Sequence, residues 1–175
     1  FNFPYLAANL VKQGTQSKSD LDKPGDGSRQ PYFANEKSNG AYIIRRFPVA
    51  GKPDIKVAII GFSTPESKIF LTGGDENEDM YFEDMVDSAA YWMKKVRAEK
   101  PDLVVALCHA GYDFTLTPGQ DQKTFRNYNP VQLVAEKVPG FDIIFWGHDH
   151  LIKEESAHNK VVLLGGNHYA QELSI

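Results

Sequence analysis

Three short and largely apolar runs constrain this chain more than any other feature: Ile55–Gly61, Asp102–Cys108 and Phe141–Trp146. A strand with one wet face alternates apolar and polar residues, whereas a near-continuous run belongs to a strand covered on both faces, as in parallel sheets. From about Glu83 to Glu99, Met85, Ala89, Met93 and Val96 recur at helical spacing, Lys94, Lys95 and Arg97 sit favourably near the C-terminal end, and Pro101 stops the helix. A second helix is expected from near Asn129-Pro130 to near Gly140. Strands alternating with helices mean an α/β fold with parallel pairing.

The flanking segments complete the outline. Ala41–Phe47 reads as a strand joined to Ile55–Phe62 through Val49–Pro53, with Gly51 and Pro53 supplying turn chemistry. Val161–Leu164 and Tyr169–Ile175 are expected as closing strands, with Asn159 in the turn before the first, and Phe3–Leu10 is a short run of strand formers. The 175 residues suffice for a single domain, and residues 12–40, rich in Ser, Asp, Lys and Gly, read as a long polar loop or insertion.

Composition excludes several partners. Nineteen Lys and Arg against 23 Asp and Glu give a formal charge of -4, with no basic cluster beyond Arg45-Arg46 and Lys94-Lys95, so nucleic acid and anionic membrane are poor candidates. No apolar run approaches the length of a membrane span. Phe1-Asn2-Phe3-Pro4 has neither the basic start nor the apolar core of a signal peptide, and without an initiator Met the chain reads as a piece of something longer. A lone Cys108 forbids an intrachain disulfide and fits either a cytosolic or a periplasmic protein.

The chemistry is carried by the placement of histidines. Two of the buried strands end in histidine-bearing turns, Cys108-His109-Ala110-Gly111 and Trp146-Gly147-His148-Asp149-His150. In open α/β sheets ligands collect outside the carboxyl ends of strands. Imidazole is the usual neutral nitrogen ligand of zinc, manganese and iron, and two at i and i+2 can point at one ion or straddle two. Gly111 and Gly147 are expected to let the turns close sharply beside these ligands. His109, His148 and His150 are therefore candidate metal ligands. Asp149 is expected to shape its turn or meet solvent, Asp113 to be a surface carboxylate, His158 to be exposed in a polar turn and Cys108 to be an inert core thiol. Phe145-Trp146 fits core or the wall of a cleft.

These residues resemble the last two metal motifs of the calcineurin-like metallophosphoesterases, and more narrowly the 5'-nucleotidase and 2',3'-cyclic phosphodiesterase branch. Phe3–Asn9, Ile55–Glu66 and Val161–Ile175 resemble further stretches of that branch in the same order, so the likeness spans nearly the whole chain apart from residues 12–40. The resemblance implies an α/β fold forming part of a four-layer α/β/β/α sandwich with mixed sheets. It also implies two divalent metal ions (Mn, Zn or Fe), a small-molecule phosphate ester such as a nucleotide as substrate, and a periplasmic or extracellular location.

The family also carries Asp-x-His, Gly-Asp and Gly-Asn-His-Glu/Asp motifs upstream, and the chain is expected to begin just after them. They would bring the acidic ligands and the histidine assisting the leaving group, so this chain is expected to need that upstream segment and to be inactive alone. Gly166-Asn167-His168 imitates the third motif, but it falls after the second histidine turn and Tyr169 stands where the acid should be, so a turn between strands is the better reading. The rival from another class is a non-catalytic binding or structural module on the same scaffold.

Overall fold

The computed structural model describes residues 3–12, 30–36, 38–67, 80–112, 128–151 and 153–166. Its elements run β1 (Leu10–Lys12), β2 (Tyr42–Val49), β3 (Lys52–Ser63), β4 (Met80–Phe82), α1 (Met85–Ala98), β5 (Leu103–His109), α2 (Val131–Lys137), β6 (Ile143–Gly147), β7 (Lys153–His158) and β8 (Val161–Gly165). Six strands form one mixed sheet in the order β2-β3-β5-β6-β8-β7, and β1 pairs with β4 in a separate two-stranded sheet. The central pairs β3-β5, β5-β6 and β6-β8 are parallel and both edge pairs are antiparallel. The expected mixed α/β architecture is present.

Helices cover one face. Ala58, Ile60 and Phe62 of β3, Val104, Ala106 and Cys108 of β5, and Ile144 and Trp146 of β6 share a core with Met85, Ala89, Trp92, Met93 and Val96 of α1 and Val131, Val134 and Ala135 of α2. Asp84 caps α1 by accepting a hydrogen bond from the Asp87 N–H at 3.0 Å.

Alternate residues of the same strands form the opposite face, in rows fixed by register. Ile59, Val105, Ile143 and Val162 make one row, Gly61, Leu107, Phe145 and Leu164 the next, and Ser63, His109 and Gly147 the last. Leu107 and Phe145 are 47% and 41% exposed. Complete burial of such a side chain is worth roughly 1.5–3 kcal/mol, of which a part is forgone while it stays half wet, so this face has the composition of an inner surface. The described residues thus supply a helical layer and a mixed sheet of the expected sandwich, with an apolar face on which a further layer could lie.

Two aspartates set the register of the parallel strands. The Asp102 N–H donates to the Lys56 carbonyl at 2.7 Å while its Oδ2 accepts from the Lys56 N–H at 2.7 Å. Asp142 repeats the device on β5, with its N–H on the Val104 carbonyl at 2.9 Å and its Oδ2 on the Val104 N–H at 2.7 Å. Each strand is pinned at its start, which brings the C-terminal ends level.

Several sequence expectations need correction. Only Leu10 of Phe3–Leu10 lies in a strand, because the preceding backbone divides its bonds: the Ala7 N–H goes to Gly40 O and the Ala8 N–H to Gly61 O. Pro53 lies inside β3 and not in the turn, which Gly51 makes with φ +72°. The end of the 12–40 loop is not wholly polar surface, since Tyr32 and Phe33 pack against Ala7, Leu10, Met80 and Phe82. β4 and β7 were not anticipated: β4 is only three residues long, and Lys153–His158 is a polar sequence that forms the sheet edge by pairing with β8. The expected strand Tyr169–Ile175 lies outside the described residues, as do most of residues 12–40.

Candidate functional site

His109 ends β5 and pairs in register with Gly147, the last residue of the neighbouring parallel strand β6. That pairing puts the two histidine turns side by side. The rings of His109 and His148 meet edge to face with centroids 5.0 Å apart. Partial burial, then the proximity of His148 and of His150, hold the His109 imidazole below its usual pKa. The structure thus brings His109 and His148 together, whereas His150, two residues further along the turn, does not join them in a three-donor group among the described residues. Beside His109 is a depression of ≈ 420 Å³ bordered by Leu6, Leu107, Phe145 and Gly147.

Backbone geometry within the second turn differs from the expectation. Gly147 has ample space, with nothing within 4 Å of where a Cβ would stand. The unusual torsions fall instead on the ligand candidates, with φ +122° at His148 and +55° at His150. β6 stays extended through Gly147, so the chain reverses one residue later. A non-glycine residue held there costs on the order of 1–3 kcal/mol and persists only where its surroundings impose it.

Gly111, by contrast, is required. A Cβ there would lie 2.1 Å from Asn129 Oδ1 and 2.8 Å from Asp149 Oδ2. Both atoms are close because they bind the loop: Asn129 Oδ1 accepts from the Gly111 N–H at 3.1 Å, and Asp149 Oδ2 from the Tyr112 N–H at 2.9 Å. Asp149 thus shapes more than its own turn.

The loop after β3 adds a carboxylate that the sequence reading assigned no role. Glu66 Oε2 lies 2.6 Å from His148 Nε2. Glu66 stands 82 residues before its partner, so no local spacing could reveal the pair. Its sequence signals were its position just past the C-terminal end of an apolar strand and its place at the end of the family-like stretch Ile55–Glu66.

The remaining assignments divide plainly. Cys108 is buried and its thiol is pushed up to about 12 by burial, as an inert core thiol should be. Phe145 and Trp146 take opposite faces, the first exposed on the open face and the second in the core. Asp113 and the residues Asn167 and His168 lie outside the described residues, as does the side chain of His158.

As a metal site the cluster is partial. Among the described residues, no three His, Cys, Asp or Glu side chains converge to hold one ion. His109 and His148 offer neighbouring imidazoles and Glu66 a carboxylate that is already engaged, a donor set suited to contributing to a shared centre and not to enclosing an ion alone.

Comparison with known proteins bears on this geometry. No family model matches the chain. The trifunctional nucleotide phosphoesterase protein YfkN of Bacillus subtilis is 29% identical over 155 residues, covering 85% of this chain and 9% of that protein. A 2',3'-cyclic-nucleotide 2'-phosphodiesterase/3'-nucleotidase of Yersinia enterocolitica is 28% identical over 158 residues, covering 86% of this chain and 20% of that protein. The chain's relatives are calcineurin-like phosphoesterases. Solved structures agree on the fold: calcineurin-like phosphoesterase YfkN from Bacillus subtilis matches with a TM-score of 0.64 at 22% identity, over 95% of this chain and 47% of that one. The NAD nucleotidase of Haemophilus influenzae matches at 0.56 and 18% identity, over 97% of this chain and 30% of that one. The resemblance read from the two histidine motifs is borne out, and the chain spans only a fraction of the length of each of these relatives.

Proposed function

We propose that this chain forms part of a metal-dependent phosphoric ester hydrolase of the 5'-nucleotidase type, acting on a small-molecule phosphate ester such as a nucleotide. The observation that carries the reading is the meeting of the His109 and His148 rings at the ends of adjacent parallel strands, in a chain whose relatives are nucleotide phosphoesterases. His109, His148 and His150 are the residues that would hold the ions, two divalent cations of the Mn, Zn or Fe type. When bound, such ions polarise phosphoryl oxygens and acidify water. The chain's own part is to present neutral imidazoles and to fix the turns that carry them. The depressed His109 pKa favours the neutral form that a ligand needs.

Three imidazoles leave the charge of two dications uncompensated, so the carboxylate ligands come, in this reading, from an upstream segment of the same domain. The test is metal-dependent hydrolysis of a nucleotide panel and of a bis-aryl phosphate, with Mn2+, by these 175 residues and by a version extended upstream. Turnover is expected only from the extended protein, and robust turnover by the short chain would refute the division of ligands. Equal activity of His109→Ala and His148→Ala in the extended protein would sink the metal assignment itself. A periplasmic or extracellular location accompanies this reading and is tested by cell fractionation.

The second reading is a non-catalytic binding or structural module on the same scaffold. Metal analysis separates the two: close to two transition-metal ions per extended protein under the first reading, none under the second.

A further inference from the structure

We propose that Glu66 is the positioning residue of His148, holding the ring by Nε2 so that Nδ1 is the nitrogen turned to an ion. The proposal rests on the metal reading of His148. A carboxylate has only acceptor atoms, so the 2.6 Å contact between Glu66 Oε2 and His148 Nε2 places the proton on Nε2. In a neutral imidazole the lone pair then lies on Nδ1. Metal-binding histidines usually donate their second ring nitrogen to a carboxylate or carbonyl, which fixes ring and tautomer.

Glu66 is itself held in place. Thr64 is fully buried, its N–H donates to the His109 carbonyl at 2.7 Å, and its Oγ1 accepts from the Glu66 N–H at 3.3 Å. The Ser67 N–H returns to the Thr64 carbonyl at 3.0 Å and the Ser63 and Ser67 hydroxyls bond at 3.0 Å. Asn9 fastens the end of β3 from the side, accepting from the Ser63 N–H at 3.0 Å and donating to its carbonyl at 2.8 Å. The loop after β3 is thus bonded to the backbone of one candidate ligand and to the ring of another. His148, with φ +122°, is held through its side chain as well as its turn.

The experiment reads the ring directly in the protein extended upstream. Long-range ¹H–¹⁵N spectra of the metal-free protein should show His148 as the Nε2–H tautomer, and Glu66→Ala should release it to a mixture. Zn2+ titrations followed on the same signals should give binding about 10- to 100-fold weaker in Glu66→Ala. Glu66→Gln keeps an acceptor oxygen and should retain the tautomer with a smaller loss. An unchanged tautomer in Glu66→Ala overturns the proposal, as does unchanged zinc affinity in that variant while His148→Ala weakens it. A loss in Glu66→Gln as deep as in Glu66→Ala would make Glu66 a donor to the ion and overturn it too. If His148→Ala leaves zinc binding untouched, the metal reading fails, which the tautomer measurement distinguishes from a failure of the Glu66 contact.

Discussion

Asp149, between the two histidines of one turn, accepts the Tyr112 backbone N–H of the other turn at 2.9 Å. This bond crosses from β6 to the loop following β5, so the two imidazole-bearing turns are fastened independently of any ion. Asp149→Ala should leave that N–H without its partner and cost about 1–3 kcal/mol. Asp149→Asn, which retains an acceptor oxygen, should lose less. Urea denaturation of the metal-free protein checks both, and wild-type stability in Asp149→Ala would show the bond to be dispensable.

The two glycines beside the histidines should answer differently to the same substitution. Gly111→Ala puts a Cβ against Asn129 and Asp149, the two groups that hold the loop, and overpacking of this kind costs about 1–3 kcal/mol. Gly147→Ala meets nothing within 4 Å, so its stability should stay within about 0.5 kcal/mol of wild type. Thermal unfolding of the pair is the measurement, and equal destabilisation would contradict the described packing.

Asp142 offers a test of how register is set. Val104 is fully buried, and removing the carboxylate that accepts its N–H leaves a buried donor unpaired, a loss of about 1–3 kcal/mol for Asp142→Ala. Asp102→Ala should cost less, because its Lys56 contact is exposed. Chemical denaturation should rank the two variants in that order, and a reversed ranking would show that burial of the pair does not decide its worth.

How far the sequence reached follows from the range of the interactions involved. The central strands and α1 were legible because their apolar patterns are local and strong: α1 was expected from about Glu83 to Glu99 and runs Met85–Ala98. His109 and His148 were found as strand-end residues, and the structure brings their rings together. Glu66, Asn129 and Asp142 were missed as contributors because each acts on a partner 18 or more residues away, a relation that no periodicity encodes. β7 was missed because an edge strand of polar residues looks like a loop until its partner β8 is known. Gly147 was misjudged because a glycine before a turn suggests that it makes the turn, whereas here the strand continues through it.

Cys108 supplies the prediction in pH. Its thiol is buried on the helix-covered face of β5, and burial pushes its pKa up from the ordinary thiol range to about 12. A group raised in the folded state keeps its proton while the unfolded chain gives it up, so the folded form loses relative stability as pH climbs. The contribution is fully present below about 9 and is lost as pH rises through the window towards about 12, with a slope of up to about 1.4 kcal/mol per pH unit for one group. Cys108→Ala removes the titration and should flatten that part of the stability profile, whatever its effect at neutral pH. Iodoacetamide should accordingly label the folded protein at pH 8 far more slowly than the urea-unfolded chain, since the thiolate is the reactive form and the sulfur is enclosed. Equal labelling rates in the two states would mean that the strand end beside His109 opens readily, and the packing that holds the two histidine turns level would have to be revised.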